Sequence, residues 1–139
     1  MFVTRASRRE IDEIKEFYER NEWDPVDFSR GQAYIVRQGA ILAVLLLVPA
    51  GDATVIDDVV VDKDRRKQGI GTRLIQTAMN NKGGTLYLCC HDHTIGYYER
   101  FGFELVDRDG LPEAIHAHFQ ADGTFDDSED HKHYIMRAR

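Results

Sequence analysis

Apolar and polar positions along this chain alternate with two different periods, and the changes of period mark out its elements. Residues 2–7 (FVTRAS) read as a short strand. Ile11, Ile14, Phe17 and Tyr18 then fall on one helical face behind a Ser7–Glu10 capping box, and that pattern ends near Asn21. The stretch NEWDPVDFS, with Pro25, reads as a loop or a second short helix. Residues 32–37 and 40–48 predict strands joined at Gln38-Gly39, and Pro49-Ala50-Gly51-Asp52 predicts a turn. A third β-branched run, 54–61 (TVIDDVVV), is strand-like despite two aspartates. Helical spacing returns over 69–80, with Ile70, Leu74, Ile75 and Ala78 as the buried face and Asn81-Lys82-Gly83-Gly84 as the stop. Residues 85–90 predict a strand, 94–100 a short helix ending near Gly102, and 103–106 another strand. Beyond Asp107 the pattern weakens: 111–119 suits a helix, 121–130 an acidic loop and 133–139 a closing strand. The order predicts an α/β fold, a mixed sheet covered by helices, in a single domain over residues 1–139.

Composition narrows the function classes. A chain of 139 residues buries roughly 70% of its unfolded surface and needs neither disulfide nor metal to fold. A net charge of −6 argues against a general nucleic-acid face, which depends on displaced counterions. Positive charge is nonetheless dense at Arg65, Arg66, Lys67 and Arg73, which points to a local anion site. Cys89 and Cys90 are adjacent on a strand and point to opposite faces, so they do not pair, and that usage suits a reducing compartment. The apolar run over 40–50 is too short to span a bilayer, and the first five residues become charged at once, unlike a signal peptide. The expectation is a cytoplasmic protein with neither membrane nor nucleic acid as partner.

The anion site has a recognisable build. In RRKQGIGTRL, residues 65–74, three cations lead from a strand into Gly69-Ile70-Gly71 and a helix. Glycines let successive N–H groups turn toward one anion, the helix N-terminus adds about half a positive charge, and Arg66, Lys67 and Arg73 can make charge-assisted contacts. The spacing is not that of a P-loop, and Leu74 stands where a dinucleotide fingerprint has its third glycine. A plain strand-to-helix turn with a solvated basic patch is the competing reading of this stretch alone.

A second motif decides between them. Residues 96–103 read GYYERFGF, directly after a strand. Arg66-Lys67-Gln68-Gly69-Ile70-Gly71 resembles the (Q/R)-x-x-G-x-(G/A) signature of GNAT-type acetyltransferases, and 97–103 resembles their later (F/Y)-Y-E-(K/R)-x-G-F segment. The resemblance implies the GNAT (acyl-CoA N-acyltransferase) fold, with a mostly antiparallel sheet flanked by helices. It implies acetyl-CoA as co-substrate, with pantetheine along Val59, Val60 and Val61 and pyrophosphate on Gln68, Gly69, Ile70, Gly71 and Thr72. Arg66, Lys67, Arg73, Thr94 and Arg100 become further cofactor contacts. Tyr98 matches the tyrosine that protonates the departing thiolate in many relatives, and Asp57, or a water it holds, is the favoured base for the amine. Packing of Tyr98 against the cofactor, and a merely orienting role for either aspartate, are the plainer alternatives.

Residues 56–71 and 86–103 also look similar to glucosamine-6-phosphate N-acetyltransferases. Cys89 replaces their substrate-orienting aspartate, Thr94 replaces their cofactor-contacting Asn, and the segment 107–130 is longer, so the acceptor stays open among small-molecule and peptide amines. Those departures also sustain an alternative, a non-catalytic acyl-CoA-binding module. Trp23 and Asp24, in the loop after the first helix, join Asp58 and Cys89 as candidate acceptor contacts, an aromatic beside carboxylates suiting a cation. Trp23 packed into the core is the alternative. His91-Asp92-His93 and His131-Lys132-His133 do not have the spacing of a known zinc module and read as surface or pocket histidines. A homodimer through the later strands is a further implication of the resemblance.

Overall fold

A computed structural model describes residues 2–24, 26–126 and 132–139. Its strands are β1 (Val3–Arg5), β2 (Gln32–Gln38), β3 (Ala40–Ala50), β4 (Ala53–Val61), β5 (Leu86–Cys90), β6 (Glu104–Val106) and β7 (Tyr134–Ala138). The helices are α1 (Ile11–Arg20), α2 (Ile70–Asn81), α3 (Ile95–Glu99) and α4 (Glu113–Ala121). The strands follow the order β1-β2-β3-β4-β5-β7-β6. Pairing is antiparallel for β1–β2, β2–β3, β5–β7 and β6–β7, and parallel for β4–β5, where Val55 faces Tyr87. The fold is a mixed, mostly antiparallel α/β sheet with helices.

Contacts divide the chain into two compact units, Met1–Val48 with Asp57–Asn81, and Pro49–Ile56 with Lys82–Arg139. In the first, Ile14, Phe17 and Tyr18 of α1 pack with Ile35, Val44 and Val60 of the strands. The Ser7 N–H donates to Glu10 Oε1 at 2.9 Å, half of a capping box, but the box opens a 3-10 turn, Arg8–Glu10, that leads into α1. In the second unit, Ile115 and Phe119 of α4 pack with Val55, Tyr87 and Ile135.

Most elements lie where the periodicity put them. The predicted turn at 49–52 needs correction, because β3 continues through Pro49 to Ala50 and only Gly51 (φ +63°) and Asp52 turn. Pro49 lies beyond Leu47, the last β3 residue paired with β2, so its missing N–H breaks no bond to that strand.

Candidate active site

Within the first unit, β4 leads through a cationic loop into α2, and a polar clamp holds the start of that loop. Asp62, only 8% exposed, is its centre. Its carboxylate accepts from the Asp64 N–H at 2.9 Å and from Arg20 at 3.3 Å, while its own N–H donates to the Leu42 carbonyl at 2.7 Å. Asn21 accepts from the Lys63 N–H at 2.8 Å, tying the end of α1 to the same loop. These donors hold the Asp62 carboxyl below its usual value, the Asp64 N–H most of all and Arg20 next.

Beyond the clamp the backbone turns left-handed twice, at Lys67 (φ +66°) and Gly69 (φ +77°), before α2 begins. The Arg73 N–H donates to the Gly69 carbonyl at 3.2 Å, so the helical ladder starts there. The N–H groups of Ile70 and Gly71 lie in the first turn, where no helix carbonyl accepts them. Glycine is needed for its conformation at Gly69; Gly71 is in the helix, which corrects the expectation that both glycines make the turn. Arg66, Lys67, Gln68 and Arg73 are exposed, Gly71 and Thr72 half-buried, and Ile70 buried beneath. Cations around a helix N-terminus can bind the oxygens of a phosphate.

The acidic pair on β4 lies in the same unit. Asp57 has Arg30 Nη1 at 3.5 Å, and its side chain is 11% exposed. Asp58 shares the strand face of Val60, which packs beside Tyr18, and the Tyr18 hydroxyl donates to Asp58 Oδ2 at 2.9 Å. The Trp23 side chain donates a second hydrogen bond. Burial raises the Asp58 carboxyl above its ordinary value; the two donors oppose that rise and the charge of Asp57 adds to it. The same burial and the neighbouring carboxylate push the Tyr18 phenol far above its normal range, so it donates at every working pH. Trp23 is 45% exposed, which rules out its being packed into the core. Asp24 is exposed, Val60 buried, and Val59 and Val61 half-buried.

The second unit carries Tyr98. Its ring packs in T-shaped geometry with Tyr97 and Phe103, with ring centres 5.2 and 6.0 Å away. Burial first, then Tyr97 and the thiols of Cys90 and Cys89, push its hydroxyl up to about 12. A phenol held protonated in this way is suited to give its proton to a stronger base that forms beside it. Arg100 lies over the Tyr97 ring at 5.3 Å, and the Thr94 hydroxyl donates to the His91 carbonyl at 3.0 Å. Cys89 is half-buried against the α4 core, whereas Cys90 is buried.

His91 does meet His133 (5.0 Å between ring centres), and it stacks on His93 at 6.0 Å. His131 lies outside the described residues. Sequence reasoning missed Tyr18 and Arg20 as polar partners, because their apolar and surface roles filled the helical pattern. It also missed His118 on α4, a side chain 6% exposed and 3.1 Å from Asp122; the i,i+4 spacing of that pair was the available signal.

A family profile described as an Acetyltransferase (GNAT) domain matches residues 29–105, and the chain belongs to that family. No protein of curated function matches it in sequence. Among solved structures it is similar to the ribosomal-protein-S18-alanine N-acetyltransferase of Escherichia coli, with 17% identity and a TM-score of 0.71 over 99% of this chain and 92% of that one. A Mycobacterium tuberculosis protein solved in complex with CoA gives 16%, 0.71, 99% and 98%. N-acetylglutamate synthase from Neisseria gonorrhoeae, solved with coenzyme A and N-acetyl-glutamate, gives 19% and 0.71 over all of this chain but 35% of its own length. Among the described residues no helix is long and apolar enough to cross a membrane.

Proposed function

We propose that this protein is an N-acetyltransferase that moves the acetyl group of acetyl-CoA directly to a primary amine, and that residues 1–139 act as one catalytic domain. The observation that carries the reading is the junction of β4 and α2. There a left-handed turn at Gly69 opens a helix N-terminus among Arg66, Lys67 and Arg73, the arrangement a pyrophosphate calls for. Similar proteins solved with CoA support the choice of co-substrate. Pantetheine runs along Val59–Val61, and Gln68–Thr72 receive the phosphates.

In the reaction the ammonium first loses a proton to Asp57, or to a water that Asp57 holds. The free amine nitrogen then bonds to the thioester carbon, and the C–S bond breaks as the Tyr98 hydroxyl gives its proton to the thiolate. The proton that the nitrogen must then shed to become the amide passes through water and restores the Tyr98 phenol. The raised Tyr98 phenol supports that assignment, since it stays protonated until charge develops on sulfur. Related folds acetylate a ribosomal-protein alanine or make N-acetylglutamate, so a small-molecule or peptide amine fits as acceptor.

Calorimetry with acetyl-CoA, with desulfo-CoA as the control, tests the cofactor groove; absence of binding to either removes the reading. Tyr98→Phe is expected to lower kcat by about a hundredfold while acetyl-CoA affinity stays unchanged. Full activity in that variant removes Tyr98 as the acid.

A further inference from the structure

We infer that the cavity between the start of α1 and the 3-10 turn Phe28–Arg30 is a second binding site, for a small carboxylic acid with an apolar body. Its occupancy is felt at the acidic pair of β4. The site lies wholly within the first unit, and its chemistry does not depend on the acetyltransferase reading.

The cavity exists because little chain covers that flank of α1. Among the described residues of 21–31, which join α1 to β2, the only helical turn is Phe28–Arg30. Phe28 packs on Tyr18, toward the C-terminal end of α1, and Ile11 at the other end is left half-buried. The space there measures about 480 Å³, within the usual range of a small-molecule site. Ile11, Ile14 and Phe28 give it apolar walls. Gln32 stiffens another wall, its side-chain N–H groups donating to the carbonyls of Ala6 at 3.2 Å and Ala33 at 2.7 Å.

Charge selects the head group. Arg8 is exposed, is the one charged side chain on the lining, and makes no ion pair among the described residues. The acids nearest along the chain are turned elsewhere. Glu10 accepts from the Ser7 N–H and pairs with Arg37, and Asp27 accepts from the Ser29 N–H and hydroxyl. Asp12 is exposed and not part of the lining. A carboxylate fits a guanidinium through two parallel hydrogen bonds, and its single charge matches a single cation. An ammonium would meet Arg8 as a like charge.

The same 3-10 turn reaches the acidic pair. The Phe28 and Tyr18 rings meet in T-shaped geometry at 5.4 Å, and the Tyr18 hydroxyl donates to Asp58 at 2.9 Å. Arg30, next to the lining residue Ser29, lies 3.5 Å from Asp57. A guest that leans on Phe28 therefore presses on the group that positions Tyr18. Trp23, the sole tryptophan, donates to the same Asp58 and reports on it.

The test titrates the protein with 3-phenylpropanoate, 3-phenylpropan-1-ol and acetate, by calorimetry and by Trp23 fluorescence. The aromatic acid is expected to bind with a Kd below about 1 mM, the alcohol at least tenfold more weakly and acetate not detectably. Saturating acetyl-CoA should leave the affinity for the acid within twofold. Arg8→Gln, at an exposed position, should weaken it about tenfold while Tm stays unchanged. Trp23 fluorescence should change along the same isotherm. No binding of the acid, equal binding of the alcohol, competition with acetyl-CoA, or an affinity that survives Arg8→Gln overturns the site. Binding that leaves Trp23 fluorescence unmoved overturns its link to the acidic pair. None of these outcomes bears on acetyl transfer, which is read separately by CoA release.

Discussion

Replacing Asp62 by Ala removes the centre of the clamp that launches the cationic loop between β4 and α2. The carboxylate accepts a charge-assisted hydrogen bond from the Asp64 N–H, a contact of about 1.5–2 kcal/mol in this part-buried setting. Its pair with Arg20 is worth less, about 0.5 kcal/mol, because the Arg20 side chain is 47% exposed and screened by solvent. The sum is about 2 kcal/mol. An unfolding entropy of about 2.1 cal/mol/K per residue over 139 residues converts that into a drop in Tm of roughly 7 °C. Asp62→Asn keeps an oxygen for the Asp64 N–H and loses only the charge, so about 1 kcal/mol is expected. The folded carboxyl titrates below its ordinary value, so its stabilisation is complete above the unfolded value and is lost as pH falls through the folded one. Urea denaturation should therefore show the gap between wild type and Asp62→Ala closing from pH 6 toward pH 3. Acetyl-CoA affinity, read by calorimetry, should fall about tenfold as the loop loosens, the equivalent of about 1.4 kcal/mol. A variant within 0.5 kcal/mol of wild type (a threshold of about the size of a neutral surface change), an Asn variant as damaged as the Ala one, or a gap that ignores pH would refute the reasoning.

Two glycines should respond unequally to Ala. A Cβ on Gly31 would lie 1.9 Å from the Leu47 carbonyl oxygen, so Gly31→Ala should cost about 3 kcal/mol; Gly69→Ala has open space and pays only for its positive φ, about 1 kcal/mol, and chemical denaturation separates the two. Burial raises the Cys90 thiol, so a disulfide reagent at pH 8 should label it only as fast as the protein unfolds, followed by mass spectrometry of the Cys89→Ser variant; rapid labelling of the folded protein would contradict its burial.

The elements were legible because each carries its period on its own residues. Ile70, Leu74, Ile75 and Ala78 are spaced for one helical face, and that face is buried. The loop between β4 and α2 was legible for a related reason: its glycine, its cations and the helix it opens are neighbours in the chain. The two motifs together point to the family from sequence alone. Pro49 was misread because a proline signals a turn locally, whereas the end of β3 beyond its β2 partners accommodates it.

Partnerships across long sequence separations were not legible. Tyr18 and Asp58 are 40 positions apart, and Arg20 and Asp62 are 42 apart. Nothing in α1 announces that Tyr18 turns its hydroxyl to a carboxylate, since the same residue satisfies the apolar stripe. The acidic pair was visible as two letters; that Arg30 faces one aspartate and neutral donors face the other was not.

Sequence alone therefore determined the element order, the buried faces, the turn at Gly69 and the family, because backbone preference and hydrophobic period act between near neighbours. Tertiary structure alone decided which polar group meets which, and so the Tyr18–Asp58 pair, the clamp at Asp62 and the burial of Tyr98. Those outcomes depend on strand pairing and helix docking that bring distant residues within hydrogen-bond reach, where desolvation makes each pairing matter.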